Sequence, residues 1–264
     1  MPIELFAIYQ KLPVFALVLG RIGAMLLALP IIAGLAVPIR VRALLAVGLA
    51  LVAAPVVPVP VERVASLPAV GVALVGELLL GALIGLIVRC CFVGMELGGL
   101  LISQESGLAF GAIADPNSGL EQSVISVAYA QIAAVVFLLT GGHRAVVAAT
   151  LDSFHGVPLA ETFALLPAGT ELALRALELG GGLAVRVAAP VVLTLFLINV
   201  ALGFISRTVP QLNVTTIGFS VKTLLACLLL AAALPAASEA FGDALSVTLD
   251  GISGLLAPAP AQDG

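Results

Sequence analysis

Polar side chains are scarce in this sequence, so the few that could do chemistry stand out individually. Arg21, Glu77 and Arg186 each lie inside a long apolar run, and Arg207, Pro210, Gln211 and Asn213 form a short polar island between two such runs. An ionisable group at the centre of a membrane-length segment costs roughly 2.5–3.5 kcal/mol on insertion scales, and so it normally faces protein or water. All three therefore need partners, or else they mark a path for a coupling ion. In the island, Arg207, Gln211 and Asn213 bring directional donors and acceptors. Pro210 drives Val209 out of the α region and stops the preceding helix, so the island reads as a hairpin bend built for contact. Catalytic patterns are missing: there is no His-Glu-x-x-His, no phosphate-binding loop and no cluster of metal ligands. Gly251-Ile252-Ser253-Gly254 has the outline of a serine nucleophile motif, but no His follows it to act as base. His143 and His155 each sit beside Gly at an expected helix end, which argues against a proton relay. No enzymatic activity, cofactor or metal site is expected.

The elements that must hold these residues are apolar helices. The 264 residues are 61% hydrophobic and 10% charged, with a mean hydropathy of +1.24. A soluble domain carries roughly 25% charged residues, so this chain belongs in or against a membrane. Its net charge of −4, with only Arg40 and Arg42 close together, excludes nucleic acid as a partner. Six apolar runs, at residues 14–37, 43–57, 70–93, 124–140, 183–205 and 217–234, approach the ~20 residues a bilayer requires, which predicts an all-α protein of helical hairpins. Lys and Arg outside the helix interiors divide almost evenly between the two sides, so charge bias gives no orientation. Cys90, Cys91 and Cys227 lack metal spacing and read as small buried hydrophobes. The first apolar run extends well past a signal-peptide core, and the N-terminus is expected to be retained.

Glycine adds the next layer. Gly81 and Gly85, and again Gly94 and Gly98, are spaced for close helix contact on the segment that carries Glu77, either within the chain or between subunits. After this segment, residues 107–118 are too apolar for a solvated loop and too rich in Gly for a stable helix, and they suit a greasy stopper lying in a pore. Gly180-Gly181-Gly182 marks the expected boundary between a longer N-terminal part and a C-terminal hairpin. The tail beyond Leu234 is expected to fray, most of all at residues 251–264.

Taken in order, these residues resemble a known family. Gly20-Arg21-Ile22-Gly23-Ala24-Met25, Pro30 and Val37-Pro38-Ile39-Arg40-Val41-Arg42 are similar to the opening of the FliR/SctT family of flagellar and injectisome export-gate proteins. Glu77 with its glycines, Gly107-Leu108-Ala109-Phe110, Asp115-Pro116, Gly142-His143, Asp152-Ser153-Phe154, Pro158-Leu159 and Arg207 with Pro210-Gln211-Leu212-Asn213-Val214 follow in the family's order. The resemblance covers essentially the whole chain. It implies a non-enzymatic component of the type III export gate in the bacterial inner membrane, at the flagellar basal body. FliP-like and FliQ-like subunits, and an FlhB-like one, are the implied partners, in a helical, conical assembly that passes unfolded substrates. It further implies a FliP-like portion at residues 1–180 and a FliQ-like hairpin at 181–250. Gly107, Leu108, Ala109, Phe110, Gly111, Ile113, Asp115 and Pro116 fall in the family's pore plug, and Arg21, Glu77, Arg207, Pro210, Gln211 and Asn213 become subunit contacts or structural polar residues. Ile113 and Ala114 stand where a bulkier aromatic is common, so a less tight plug is expected. The competing reading is a secondary transporter coupled through Arg21, Glu77 and Arg186.

Overall fold

The computed structural model describes residues 2–30, 37–57, 66–108, 123–208 and 214–256, and every regular element among them is helical. In chain order these are α1 (Pro2–Ala28), α2 (Ile39–Ala53), α3 (Leu67–Ser106), α4 (Val124–Leu139), α5 (Gly142–Gly156), a 3-10 turn (Thr162–Leu165), α6 (Leu166–Thr208) and α7 (Val214–Leu256). Among the described residues, three helical segments, Leu67–Ser106, Thr162–Thr208 and Gly218–Leu256, are long and apolar enough to cross a membrane, or four if the pair broken at Gly141 counts as one. The break at Gly141 is a backbone matter: its φ of 75° lies in the left-handed region, where a Cβ is penalised.

The all-α expectation holds, but the longest helices outrun their hydropathy runs. The run at 70–93 becomes the 40-residue α3, and the run at 217–234 becomes the 43-residue α7. The tail beyond Leu234 is thus helical through Leu256 instead of fraying there. Its continuation has a physical cause, since Ala237, Ala240, Phe241, Leu245, Thr248, Ile252 and Leu256 recur at three- and four-residue spacing and are all buried. Gly180, Gly181 and Gly182 do not interrupt the backbone either, for they lie inside α6.

The chain folds into two compact units that share its long helices. The first comprises residues 1–89, 141–177 and 246–264. Here α1 buries Val14, Leu17, Val18, Ile22, Met25 and Leu26 along one stripe, and α3 answers with Ala73, Leu80, Ile84 and Val88. Glycines bring these two helices together: a Cβ on Gly81 would strike the carbonyl oxygen of Arg21, and one on Gly85 would strike Ala28.

The second unit comprises residues 90–140 and 178–245. Phe92 packs edge-on against Phe137 and Phe241, with ring centroids 5.4 and 5.2 Å away. Gly94 faces the backbone of Gly180, Gly98 faces Ala184 and Val187, and Gly99 faces Ser126. Both G-x-x-x-G pairs are therefore occupied within the chain. The three cysteines are free thiols; Cys91 is buried and Cys90 half-buried, but Cys227 is exposed, contrary to the expectation of a buried hydrophobe.

Candidate functional site

The most concentrated polar chemistry in the described residues is in the first unit. Arg21 occupies the buried stripe of α1 and Glu77 the buried stripe of α3, one turn before Gly81, and both are 0% exposed. The glycine contact beside them draws the two backbones close enough for the side chains to meet. Arg21 Nε donates to Glu77 Oε2 at 2.5 Å. Its Nη1 donates to Ser153 Oγ at 2.9 Å and its Nη2 to the carbonyl oxygen of Val157 at 3.1 Å. The guanidinium carbon lies 4.3 Å from the centroid of the Phe154 ring, within cation–π range. Each guanidinium nitrogen thus has an acceptor, as a charge away from water requires.

The partners are positioned in turn. Ser153 Oγ donates to the carbonyl oxygen of Thr150 at 2.6 Å, which leaves its lone pairs to Arg21. Glu77 Oε1 accepts from the backbone N–H of Ala160 at 3.2 Å. Ala160 has φ 68°, a conformation uncommon for a residue with a Cβ. The carboxylate therefore stabilises an unfavourable backbone turn at the same time as it neutralises Arg21. Next to Glu77, Gly76 abuts Thr162 and Phe163 of the 3-10 turn. The cluster is a clamp that ties α1 and α3 to α5 and the turn after it.

The other residues singled out in the sequence are placed differently. Arg186 pairs with Asp243 at 3.6 Å across α6 and α7, with side chains 65% and 68% exposed. Gly107 is buried with φ 80°, and the N–H of Leu108 donates to Ser106 Oγ at 3.4 Å, which closes the end of α3. Ala109, Phe110, Gly111, Ile113, Asp115 and Pro116 lie outside the described residues, as do Pro210, Gln211 and Asn213. Arg207 stands exposed in the last turn of α6. The structure thus joins Arg21 to Glu77 and gives Arg186 a different partner. Sequence reading missed Asp243, Val157 and Ala160. Ser153 and Phe154 were visible only as part of a motif, with nothing to say that Arg21 was their target.

Fold and site define an all-helical membrane protein with a buried ion pair, Arg21–Glu77, joining its helices. The chain belongs to a family of bacterial export proteins: the model of "Bacterial export proteins, family 1" matches residues 12–247. It is 27% identical over 246 residues to the flagellar biosynthetic protein FliR of Caulobacter vibrioides, covering 93% of this chain and 98% of that protein. It is 30% identical over 222 residues to FliR of Escherichia coli, covering 81% and 82%. Similarity at 29% over 150 residues extends to the surface presentation of antigens protein SpaR of Shigella flexneri, covering 57% of each chain.

Proposed function

We propose that this chain is a subunit of the flagellar type III export gate, forming with FliP-like and FliQ-like subunits, next to an FlhB-like one, a channel for unfolded flagellar substrates in the bacterial inner membrane. The observation that carries this reading is the end-to-end similarity to proteins named for flagellar biosynthesis, which spans 98% of the Caulobacter relative. Its role is passive. Residues 107–118 plug the lumen, and opening is a shift of a few kcal/mol in a bistable element, driven from elsewhere in the apparatus. Support for a turn at the foot of the plug comes from Gly107, which is buried at a positive φ just past the end of α3. In this reading residues 1–180 are the FliP-like portion and 181–250 the FliQ-like hairpin, and Arg207, Pro210, Gln211 and Asn213 contact neighbouring subunits. Arg21 and Glu77 are structural, since each is enclosed and bonded to the other.

The test is purification of the tagged chain from its native membrane in mild detergent, with mass spectrometry of the intact complex. Co-purification of FliP-like and FliQ-like chains is expected. Recovery of the chain alone or as a homo-oligomer from a preserved extract would overturn the gate reading. In cells with assembled gates, shortening residues 107–118 should raise permeability to small solutes, and unchanged permeability would remove the plug from the model.

A further inference from the structure

Helix α3 keeps one face uncovered along most of its length. Val75, Leu78, Leu86, Leu97 and Leu100 are all exposed. Helical geometry places them, together with Arg89 and Glu96, within an arc about 100° wide. From Val75 to Leu100 this stripe runs ~38 Å, which is longer than the ~30 Å hydrocarbon core of a bilayer.

Arg89 and Glu96 are the charges on the stripe. Both are exposed, and among the described residues neither takes part in an ion pair or a hydrogen bond. They do not satisfy each other, because two turns of helix hold them about 10 Å apart along the axis. Lipid does not fit the stripe either. Any ~30 Å core laid within it encloses Arg89, which stands about 21 Å from Val75, and leaves an unpaired charge in hydrocarbon. A core shifted toward the N-terminus far enough to release Arg89 leaves Leu97 and Leu100 in water. Only protein with charges of its own meets both demands.

A second copy of this chain does not supply them. Copies inserted in one membrane share an orientation, so two α3 helices meeting symmetrically would set Arg89 on Arg89 and Glu96 on Glu96. We infer that this face of α3 seats an apolar helix of a different subunit, one that carries an acid opposite Arg89 and a base opposite Glu96. The inference rests on the gate reading and deepens it, since it assigns a surface and the charge pattern of the partner. The two charges also set register. An apolar helix slides along an apolar stripe, whereas opposite charges two turns apart are matched at one position.

The test begins with a photo-crosslinking amino acid in place of Leu86, one turn from Arg89, in the full chain in cell membranes. Adducts to a polypeptide other than this chain are expected; adducts to lipid alone, or to a second copy, would overturn the proposal. Arg89→Glu and Glu96→Arg, made singly, should each lower recovery of partner chains with the purified complex by roughly tenfold or more, and Arg89→Lys should retain it. The thermal midpoint of the detergent-solubilised chain by itself should stay that of the parent, because neither charge has a partner within it. Unchanged recovery with both reversals would overturn the proposal, and so would a midpoint drop large enough to explain the loss. Failure here is separable from failure of the gate reading. A parent chain recovered without FliP-like or FliQ-like chains overturns the gate reading, whereas a parent that recovers them while the crosslinker at position 86 finds only lipid overturns this inference alone.

Discussion

Arg21–Glu77 and Arg186–Asp243 are chemically the same pair, each an arginine on one long helix reaching an acid on another, yet they occupy opposite physical regimes. The first is sealed at 0% exposure with Ser153, Val157 and Ala160 completing its hydrogen bonds; the second stands 65% and 68% open with its charges 3.6 Å apart. Desolvation has already been incurred at the first pair and offset by a full set of partners, so removing any member leaves a buried charge alone. At the second, both side chains stay open to screening by the surroundings, and little is at stake. An arginine in an apolar run is therefore not in itself a sign of ion coupling. What decides its role is whether the fold encloses it.

The sharpest way to break this comparison is Glu77→Ala. It strands the guanidinium, releases the Ala160 turn, and should destabilise the detergent-solubilised chain by roughly 3–5 kcal/mol, read from its thermal or denaturant midpoint. The paired change Arg21→Met with Glu77→Leu should recover most of that loss, because matched apolar residues leave no charge unpaired. If the double variant is as unstable as the single one, the pair's value lies in orientation of the turn and not in charge balance. Arg21→Lys is the milder probe: the ammonium keeps the charge but cannot serve Glu77, Ser153 and Val157 with a planar fork. A loss of roughly 1.5–3 kcal/mol is expected, and Ser153→Ala combined with it should add less than its own separate cost, since both act on one network.

Much of this was readable from residue order. Apolar period, the glycine pairs and the demand of Arg21 and Glu77 for partners follow from composition and spacing. Pairing was not readable, because Arg21, Glu77 and Ser153 are 56 and 132 positions apart along the chain and only packing brings them together. That the helix runs on through Gly180-Gly181-Gly182 was unreadable for a related reason: glycine weakens an isolated helix, but in α6 it lets the backbone of Gly180 approach Gly94 and Cys90, and tertiary contact outweighs propensity. Helix ends were misplaced where hydropathy falls but an amphipathic stripe persists, as after Leu234 in α7. Residues 109–116 and 210–213, expected from the sequence to form a plug and a polar bend, lie outside the described residues.

Glycine substitutions test whether close approach is as important in one unit as in the other. A methyl group on Gly81 would meet the Arg21 carbonyl and one on Gly94 the backbone of Gly180, neither of which is a flexible side chain. Gly81→Ala and Gly94→Ala should each cost roughly 1–3 kcal/mol by overpacking. Gly81→Ala has an extra consequence, because it pries α1 from α3 one turn from the ion pair. Its cost should shrink in the Arg21→Met, Glu77→Leu background, whereas that of Gly94→Ala should not change. Gly23, where an added Cβ meets nothing within 4 Å, is the control expected to tolerate Ala.

The smallest effect belongs to Asp243→Ala. As an exposed partner 3.6 Å from Arg186, it should change the stability of the isolated chain by about 0–1 kcal/mol, an effect that salt diminishes further. The same substitution in the assembled complex gives the comparison its edge. If a neighbouring subunit covers this pair, Arg186 passes from the exposed regime to the enclosed one, and loss of Asp243 then leaves a buried charge without its acid. Complex yield on co-purification would fall although the isolated chain stayed stable. Equal yields for parent and variant would keep Arg186–Asp243 a solvent-screened pair in both states, and would leave Arg21–Glu77 as the pair on which the fold of the first unit depends.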